Sequence, residues 1–182
     1  DAMIQYQRGT RYFIYANWYG EYERDRGIYW YQKAADQGNV NAQYELGDCY
    51  RYGQGVHKDD EKAFYWYQKA ATGLGRKNDW ICCINYQVTV GDCYANGEGV
   101  EKDDEKAFYW YQKGLDENYQ QDEVQLRLGN CYRYGRGVHK DEKKAFDFYK
   151  EAVDALNVEA QFELAQCYKY GMGVEPDDKM SI

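Results

Sequence analysis

The chain has 182 residues, of which 44% are hydrophobic and 30% charged, a composition typical of a soluble globular domain and not of a disordered segment. Its formal net charge of −8 argues against a nucleic-acid partner, because binding the phosphate backbone needs a clustered basic surface. No apolar run approaches the roughly 18–20 residues that a membrane-inserted helix needs. The chain begins at Asp1 without an initiator Met, which indicates a fragment of a longer protein.

Internal repetition organises the whole chain. A string that begins at Leu46 reads LGDCYRYGQGVHKDDEKAFYWYQKAA, and variants of it return from Val90, Leu128 and Leu164. Equivalent positions are separated by 36 to 44 residues, which indicates a unit of about 36 residues with insertions. The predicted repeats are 1–39 (degenerate), 40–74, 83–117, 122–156 and 157–182 (truncated), with an insertion at 75–82.

Each repeat is predicted to form two helices, A and B. In the second repeat, helix A is expected over Val40 to Tyr52, because apolar residues recur every four positions on one face. Gly53 and Gly55 follow and end the helix, since glycine adopts left-handed backbone angles at little cost. Asp59 is the expected N-cap of helix B. Trp66 belongs to a position shared with two other Trp residues and Phe148, which indicates core packing.

A glycine recurs inside helix A, at Gly47, Gly91 and Gly129, with Ala165 in the last repeat. An interior glycine costs about 1 kcal/mol relative to alanine in a helix. Its return in several repeats predicts that helix B passes too close for a larger side chain.

The insertion 75–82 contains Trp80. We expect either an extension of the third helix A, from Trp80 to about Ala95, or a protruding apolar feature that touches a partner.

Four of the six cysteines share one position, directly before a tyrosine of helix A. Because free cysteine is commonly buried, we expect a small apolar residue in the seam between helices A and B. Equivalent residues in successive repeats are at least one helix spacing apart, too far for a disulfide. Free thiols favour a reducing, cytoplasmic compartment. The four are Cys49, Cys93, Cys131 and Cys167, whereas Cys82 and Cys83 are adjacent.

No arrangement of reactive side chains is recognisable in the sequence. His57 and His139 occupy one loop position in different repeats, so neither Ser/His/Asp nor Cys/His catalysis can be built from them. The Gly-x-Gly-Val segments follow a helix and lack the Lys-Ser/Thr of a phosphate-binding loop. The acidic clusters lie at helix starts, where capping explains them. We therefore predict no catalytic, metal or cofactor site.

Four motifs resemble the Sel-one-like repeat, a relative of the tetratricopeptide repeat: Leu-Gly-x-x-Tyr, Gly-x-Gly-Val, Asp-x-x-Lys-Ala and Trp-Tyr-x-Lys-Ala-Ala. The resemblance covers 40–174 well and 1–39 only in its second half. It implies one all-α domain over 1–182, a right-handed superhelix (solenoid) of stacked antiparallel helix pairs. It also implies a non-catalytic scaffold or adaptor that binds proteins.

Two other functions stay open from the sequence. The chain could be a regulatory or activator segment of a larger enzyme. A hydrolase of the cysteine-rich type is the third reading, but we find no nucleophile with an adjacent base.

The resemblance also implies where a protein or peptide would bind, because the A helices of tetratricopeptide relatives line the concave face. The chain has 22 tyrosines, more than core packing requires, and Tyr and Arg are enriched in interface hot spots. We also expect end-to-end self-association through the truncated last repeat. The predicted partner-binding residues lie three before the helix A glycine (Tyr44, Val88, Leu126, Phe162), one after it (Asp48, Asp92, Asn130, Gln166), four after it (Arg51, Arg133, Lys169) and five after it (Tyr52, Asn96, Tyr134, Tyr170).

Overall fold

The structure is a computed structural model, and it describes residues 1–19, 22–73, 86–116 and 121–174. Within these ranges every regular element is an α-helix. Odd-numbered helices are the A helices of successive repeats, and even-numbered helices are the B helices. They are α1 (Ala2–Tyr19), α2 (Tyr22–Asp36), α3 (Val40–Tyr52), α4 (Asp60–Thr72), α5 (Tyr86–Asn96), α6 (Asp104–Asp116), α7 (Gln121–Tyr134), α8 (Glu142–Asp154) and α9 (Val158–Tyr170).

The helices group into two compact units. The N-terminal unit comprises Asp1–Cys82 and Asn96–Glu101, and the C-terminal unit comprises Cys83–Ala95 and Lys102–Ile182. In the first, α1 packs on α2, α2 on α3 and α3 on α4. In the second, α6 packs on α7, α7 on α8 and α8 on α9. The predicted fold class of stacked helix pairs is confirmed.

The helix boundaries follow from capping groups in the sequence. The side chain of Asn39 accepts a hydrogen bond from the amide of Ala42 at 2.9 Å, which begins α3. Asp59 does the same for α4 through the amide of Lys62, so the predicted N-cap is confirmed. At the other end of α3, Gly53 has a φ of 66°, the left-handed angle that closes the helix.

The glycine inside helices α1, α3, α5 and α7 lies against a tyrosine of the following helix B. A Cβ atom at Gly129 would lie 2.6 Å from a ring carbon of Tyr149, far inside van der Waals contact. Gly47 and Tyr67 have the same relation. The predicted close approach of helix B is confirmed, and the contacting residue is the tyrosine that follows the repeated tryptophan position.

The second glycine of each Gly-x-Gly loop makes a contact that the sequence did not predict. Gly137 has a φ of 67°, and its Cα faces the first turn of α6 so closely that a Cβ would lie 2.6 Å from the carbonyl carbon of Asp104. Gly173 approaches Glu142 at the start of α8 in the same way. The loop of one repeat thus docks on the main chain of helix B in the preceding repeat.

The four repeat cysteines are buried and carry free thiols. Burial raises the pKa of Cys49 and Cys131 to about 12 and that of Cys167 to about 11. A thiol of this kind is almost entirely protonated at neutral pH and therefore a poor nucleophile. These residues serve as small apolar packing groups.

Several predictions concern residues outside the described ranges. The insertion 75–82, Trp80 and the Cys82–Cys83 pair lie there, and α5 is described from Tyr86. Residues 175–182 of the last repeat lie there as well.

Candidate functional site

The polar row of the A helices is tied to the tyrosines of the B helices. The Tyr67 hydroxyl donates to Asp48 at 2.6 Å, and the Tyr111 hydroxyl donates to Asp92 at 2.7 Å. In the fourth repeat Tyr149 donates to an asparagine, Asn130, at 2.8 Å. These predicted partner-binding side chains are half-buried and fix the seam between helices A and B. Gln166, their counterpart in α9, is also half-buried.

The pKa of the Asp48 carboxyl is raised in the folded chain. Burial raises its pKa above the ordinary value, although the hydrogen bond from Tyr67 and the charge of Arg51 oppose that shift. Burial, together with the charge of Asp48, also raises the pKa of Glu45. Both side chains are therefore more easily protonated in the folded chain than in the unfolded chain.

We expect Asp48→Asn to stabilise the protein at neutral pH. A carboxyl whose pKa is raised on folding stabilises fully below its unfolded pKa of about 3.9, and this contribution is lost as the pH rises through the folded pKa. Asparagine keeps an acceptor for Tyr67, as Asn130 does for Tyr149. The Tm of Asp48→Asn should exceed that of the parent at pH 7, and the two should converge below about pH 4.

Asp92→Asn provides the matched control for that measurement. The Asp92 carboxylate is paired with the Arg127 guanidinium, with Nε to Oδ1 at 3.0 Å and Nη2 to Oδ2 at 3.3 Å. Removing its charge leaves Arg127 with a weaker partner, so no gain in Tm is expected. Equal gains in both variants would contradict the assignment.

The basic row of the A helices contacts neighbouring segments. Arg51 pairs with Glu98 at 2.5 Å within the N-terminal unit. Arg133 of α7 pairs with Glu163 of α9 within the C-terminal unit. Both arginines retain exposed surface, so each pair holds a guanidinium at the edge of the helix row.

Of the four predicted partner-binding rows, the aromatic row, five residues after the helix A glycine, is the most accessible to solvent. Tyr52, Tyr134 and Tyr170 are 63%, 53% and 61% exposed. In each case the preceding basic residue lies over the ring, with the cation of Arg51, Arg133 or Lys169 at 5.8, 5.2 or 5.4 Å from the centroid. The third repeat departs from this pattern, because exposed Asn96 replaces the tyrosine and donates to Glu98 at 3.4 Å.

The row three before the glycine needs a correction. Val88 and Leu126 are only 4% and 1% exposed, so they contribute to the core and offer no surface to a partner. Tyr44 is half-buried and its ring lies 5.2 Å from that of Tyr67. Phe162 of α9 is the exception, since 63% of it is exposed.

Two repeated features escaped the sequence reasoning. One is a buried glutamine four residues before the helix A glycine, at Gln43, Gln87 and Gln125. The side-chain amide of Gln43 donates to the Ala35 carbonyl at 3.1 Å, satisfying the end of α2. The sequence did indicate this feature, since a polar residue that recurs at one position of a packed helix needs a hydrogen-bond partner there.

The other feature is an exposed tyrosine on the B helices, at Tyr29, Tyr65 and Tyr109, each with its ring edge-on to the tryptophan that follows.

The described part of the chain contains neither a group of metal ligands nor a membrane-spanning helix. No three His, Cys, Asp or Glu side chains there come together as a metal site requires. No helix within residues 1–19, 22–73, 86–116 and 121–174 is both long and apolar enough to span a bilayer. His57 and His139 lie exposed in their loops.

Comparison with known protein families decides the classification. A family model for the Sel1 repeat matches residues 5–39, 40–73, 87–119, 122–155 and 158–182. The chain belongs to the Sel1 repeat family. Proteins of this family are generally non-catalytic scaffolds for protein interaction. A search of curated proteins finds no match to this Sel1 repeat chain.

Solved structures of other Sel1 repeat proteins are similar to it. A Sel1 repeat protein from Oxalobacter formigenes shares 27% identity at a TM-score of 0.85, over 100% of this chain and 67% of that one. A protective antigen of uropathogenic Escherichia coli, which displays the same type of fold, shares 29% identity at a TM-score of 0.82. The match covers 99% of this chain but only 36% of the antigen. Cysteine-rich protein B of Helicobacter pylori shares 27% identity at a TM-score of 0.51, over 74% of this chain and 90% of that one.

Proposed function

We propose that this Sel1 repeat chain is a non-catalytic scaffold that binds a protein or peptide on the exposed face of its A helices, the concave face of the solenoid. The observation that carries the proposal is the repeated pair of a basic residue and an exposed tyrosine. The N-terminal unit contributes Arg51–Tyr52, and the C-terminal unit contributes Arg133–Tyr134 and Lys169–Tyr170. The cation over each ring restrains a side chain that already has large contact area, which lowers the entropy lost on binding.

The spacing of these pairs favours an extended peptide in the C-terminal unit. The ion pair between Arg133 and Glu163 shows that α7 and α9 are neighbours. Successive A helices are at least one helix spacing of about 8–10 Å apart, and an extended chain rises about 3.3 Å per residue. One repeat therefore corresponds to at least about three peptide residues. Tyr134 and Tyr170 would contact side chains three or more positions apart in the partner.

A paired set of variants tests this proposal. Partners captured from cell extract by the parent chain are identified by mass spectrometry, and their affinity for purified variants is then measured. We expect the double variant Tyr134→Ala/Tyr170→Ala to bind on the order of tenfold to a hundredfold more weakly. The control is Tyr65→Ala, which removes a tyrosine of similar exposure from helix B. Undiminished binding by the double variant would place the partner on another face.

A second proposal concerns α9. Phe162 is 63% exposed, whereas Leu126, at the same position of α7, is 1% exposed and packs in a cluster with Ala160 of α9. Inside the C-terminal unit, such a position is thus buried in a core cluster to which α8 and the next helix A both contribute. We propose that a second copy covers α9 with its α1, where Ile4 and Ile14 are exposed.

Such a head-to-tail contact leaves the same surface free on each added copy, so it continues into chains or closes into rings. The mass measured by light scattering should increase with protein concentration, and Phe162→Asp should keep it at that of the monomer. Tyr65→Ala serves as the control and should behave like the parent. A monomer mass at every concentration would contradict this contact.

A further inference from the structure

A cavity of about 400 Å³, called here the α6–α8 cavity, is lined by residues of α6, α7 and α8 in the C-terminal unit and by none of the predicted partner-binding residues. This volume is typical of sites that take a small ligand or a single large side chain. Its apolar part is formed by Leu115, Leu128 and Phe148, and its polar part by Tyr109, Gln112 and Lys113.

The equivalent position in another repeat shows which side chain fits this cavity. The residue equivalent to Phe148 in α4 is Trp66, which is only 7% exposed and packs in one cluster with Ala35 and Leu46. Those two residues occupy the positions that Leu115 and Leu128 hold in the C-terminal unit.

The equivalent seam of the N-terminal unit is thus filled by the chain's own indole. Phe148 has a smaller ring, stays partly exposed and stacks on Tyr132 at 5.7 Å with an interplanar angle of 11°. Leu115 is larger than its equivalent Ala35 and fills part of the space that an indole would occupy, yet the cavity remains.

One lysine of the lining gives this cavity its charge preference. Lys113 belongs to the lining, and its Nζ lies 4.9 Å from the centroid of Trp110. An ammonium group beside an apolar pocket favours a ligand whose aromatic ring is accompanied by a carboxylate.

We infer that the α6–α8 cavity binds the aromatic side chain of a peptide, with a carboxylate next to that ring held by Lys113. The ring takes the place that Trp66 fills in the N-terminal unit. The site is formed by residues of α6, α7 and α8, and none of the side chains of the proposed A-helix face lines it.

The test uses N-acetyl-L-tryptophan, which combines an indole with a carboxylate. Titration into the ¹⁵N-labelled chain should shift amide signals of α6, α7 and α8, with a Kd on the order of 1 mM, as expected for a ligand of this size. N-acetyl-L-tryptophan amide should bind several-fold more weakly, and N-acetyl-L-alanine should cause no shifts. No response to N-acetyl-L-tryptophan at several times this concentration would overturn the inference.

The decisive variant is Phe148→Trp. Its indole should occupy the cavity itself and therefore weaken binding of the ligand at least tenfold. Three other B helices already carry tryptophan at this position, so the variant is expected to fold. Tyr109→Ala removes a largely exposed wall of the cavity, so it should weaken binding even if Phe148→Trp disturbs the packing. Lys113→Gln should abolish the preference for the acid over the amide.

The matched control is Tyr134→Ala, on the A-helix face, which should leave the titration unchanged. Shifts that persist in both Phe148→Trp and Tyr109→Ala would overturn the inference without affecting the proposed function.

Discussion

Replacing Gly137 by alanine is expected to lower the free energy of unfolding by about 2–5 kcal/mol, a large effect for the addition of one methyl group. A non-glycine residue at a left-handed φ costs roughly 1–2 kcal/mol. The added Cβ would also lie 2.6 Å from the carbonyl carbon of Asp104 and 2.9 Å from the Cα of Glu105. These are main-chain atoms of a helix that cannot rotate away, and overpacking of this kind adds about 1–3 kcal/mol.

A variant at Gly135, in the same loop, distinguishes backbone strain from overpacking against α6. It has the same φ of 67°, but the nearest atoms to its added Cβ are 3.5 Å away, at Lys140. Gly135→Ala should therefore cost only the backbone strain of roughly 1–2 kcal/mol. Urea unfolding followed by circular dichroism measures both variants. If they lose the same stability, the docking of the loop on α6 contributes nothing.

Replacing Tyr67 by alanine should cost about 3–5 kcal/mol, because it empties a fully buried ring site. Tyr67→Phe keeps the ring and removes only the hydroxyl that donates to Asp48, so about 1–3 kcal/mol is expected. The difference between the two variants measures the packing of the ring alone.

Gly47 and Tyr67 should also be energetically coupled. In the parent chain Gly47→Ala is destabilising, because its Cβ meets the Tyr67 ring. In the Tyr67→Ala background that ring is gone, and the same change should become neutral or stabilising through its helix propensity. The matched control is Gly114→Ala in α6, which restores the alanine of the other B helices and should stabilise by up to about 1 kcal/mol. Additive losses in the double variant would contradict the contact.

The local structure was predictable because repetition and capping are properties of short segments. The expected span of α3, from Val40 to Tyr52, and the N-cap Asp59 agree with the structure. The close approach at Gly47 was also predictable, since a costly glycine that returns in several repeats must have a packing reason.

The surface was harder to predict, because it depends on how each helix A is rotated about its axis. Successive helical residues are about 100° apart, so the row of Leu126 lies only about 60° from the glycine that faces helix B. The row of Tyr134 lies about 140° away and points outward. Sequence reasoning treated both rows as surface, and the structure makes the first a core row.

Contacts between repeats could not be predicted at all. The pair of Arg127 with Asp92 and that of Arg133 with Glu163 join residues 35 and 30 positions apart. Which side chains meet depends on the stacking register, and no spacing within a single repeat encodes it. The α6–α8 cavity escaped for a similar reason, since it depends on the volumes of side chains from three helices.

The docking of each Gly-x-Gly loop bears on how such a chain can evolve. At Gly99, Gly137 and Gly173 the loop contacts main-chain atoms of the preceding helix B, and this contact does not depend on the identity of the side chains there. A duplicated or transplanted repeat therefore brings its own glycine and can join any neighbour that begins a helix. Natural selection can then alter the solvent-facing residues of each copy separately, and ancestral gene duplication suffices to lengthen the array without redesign of its joints.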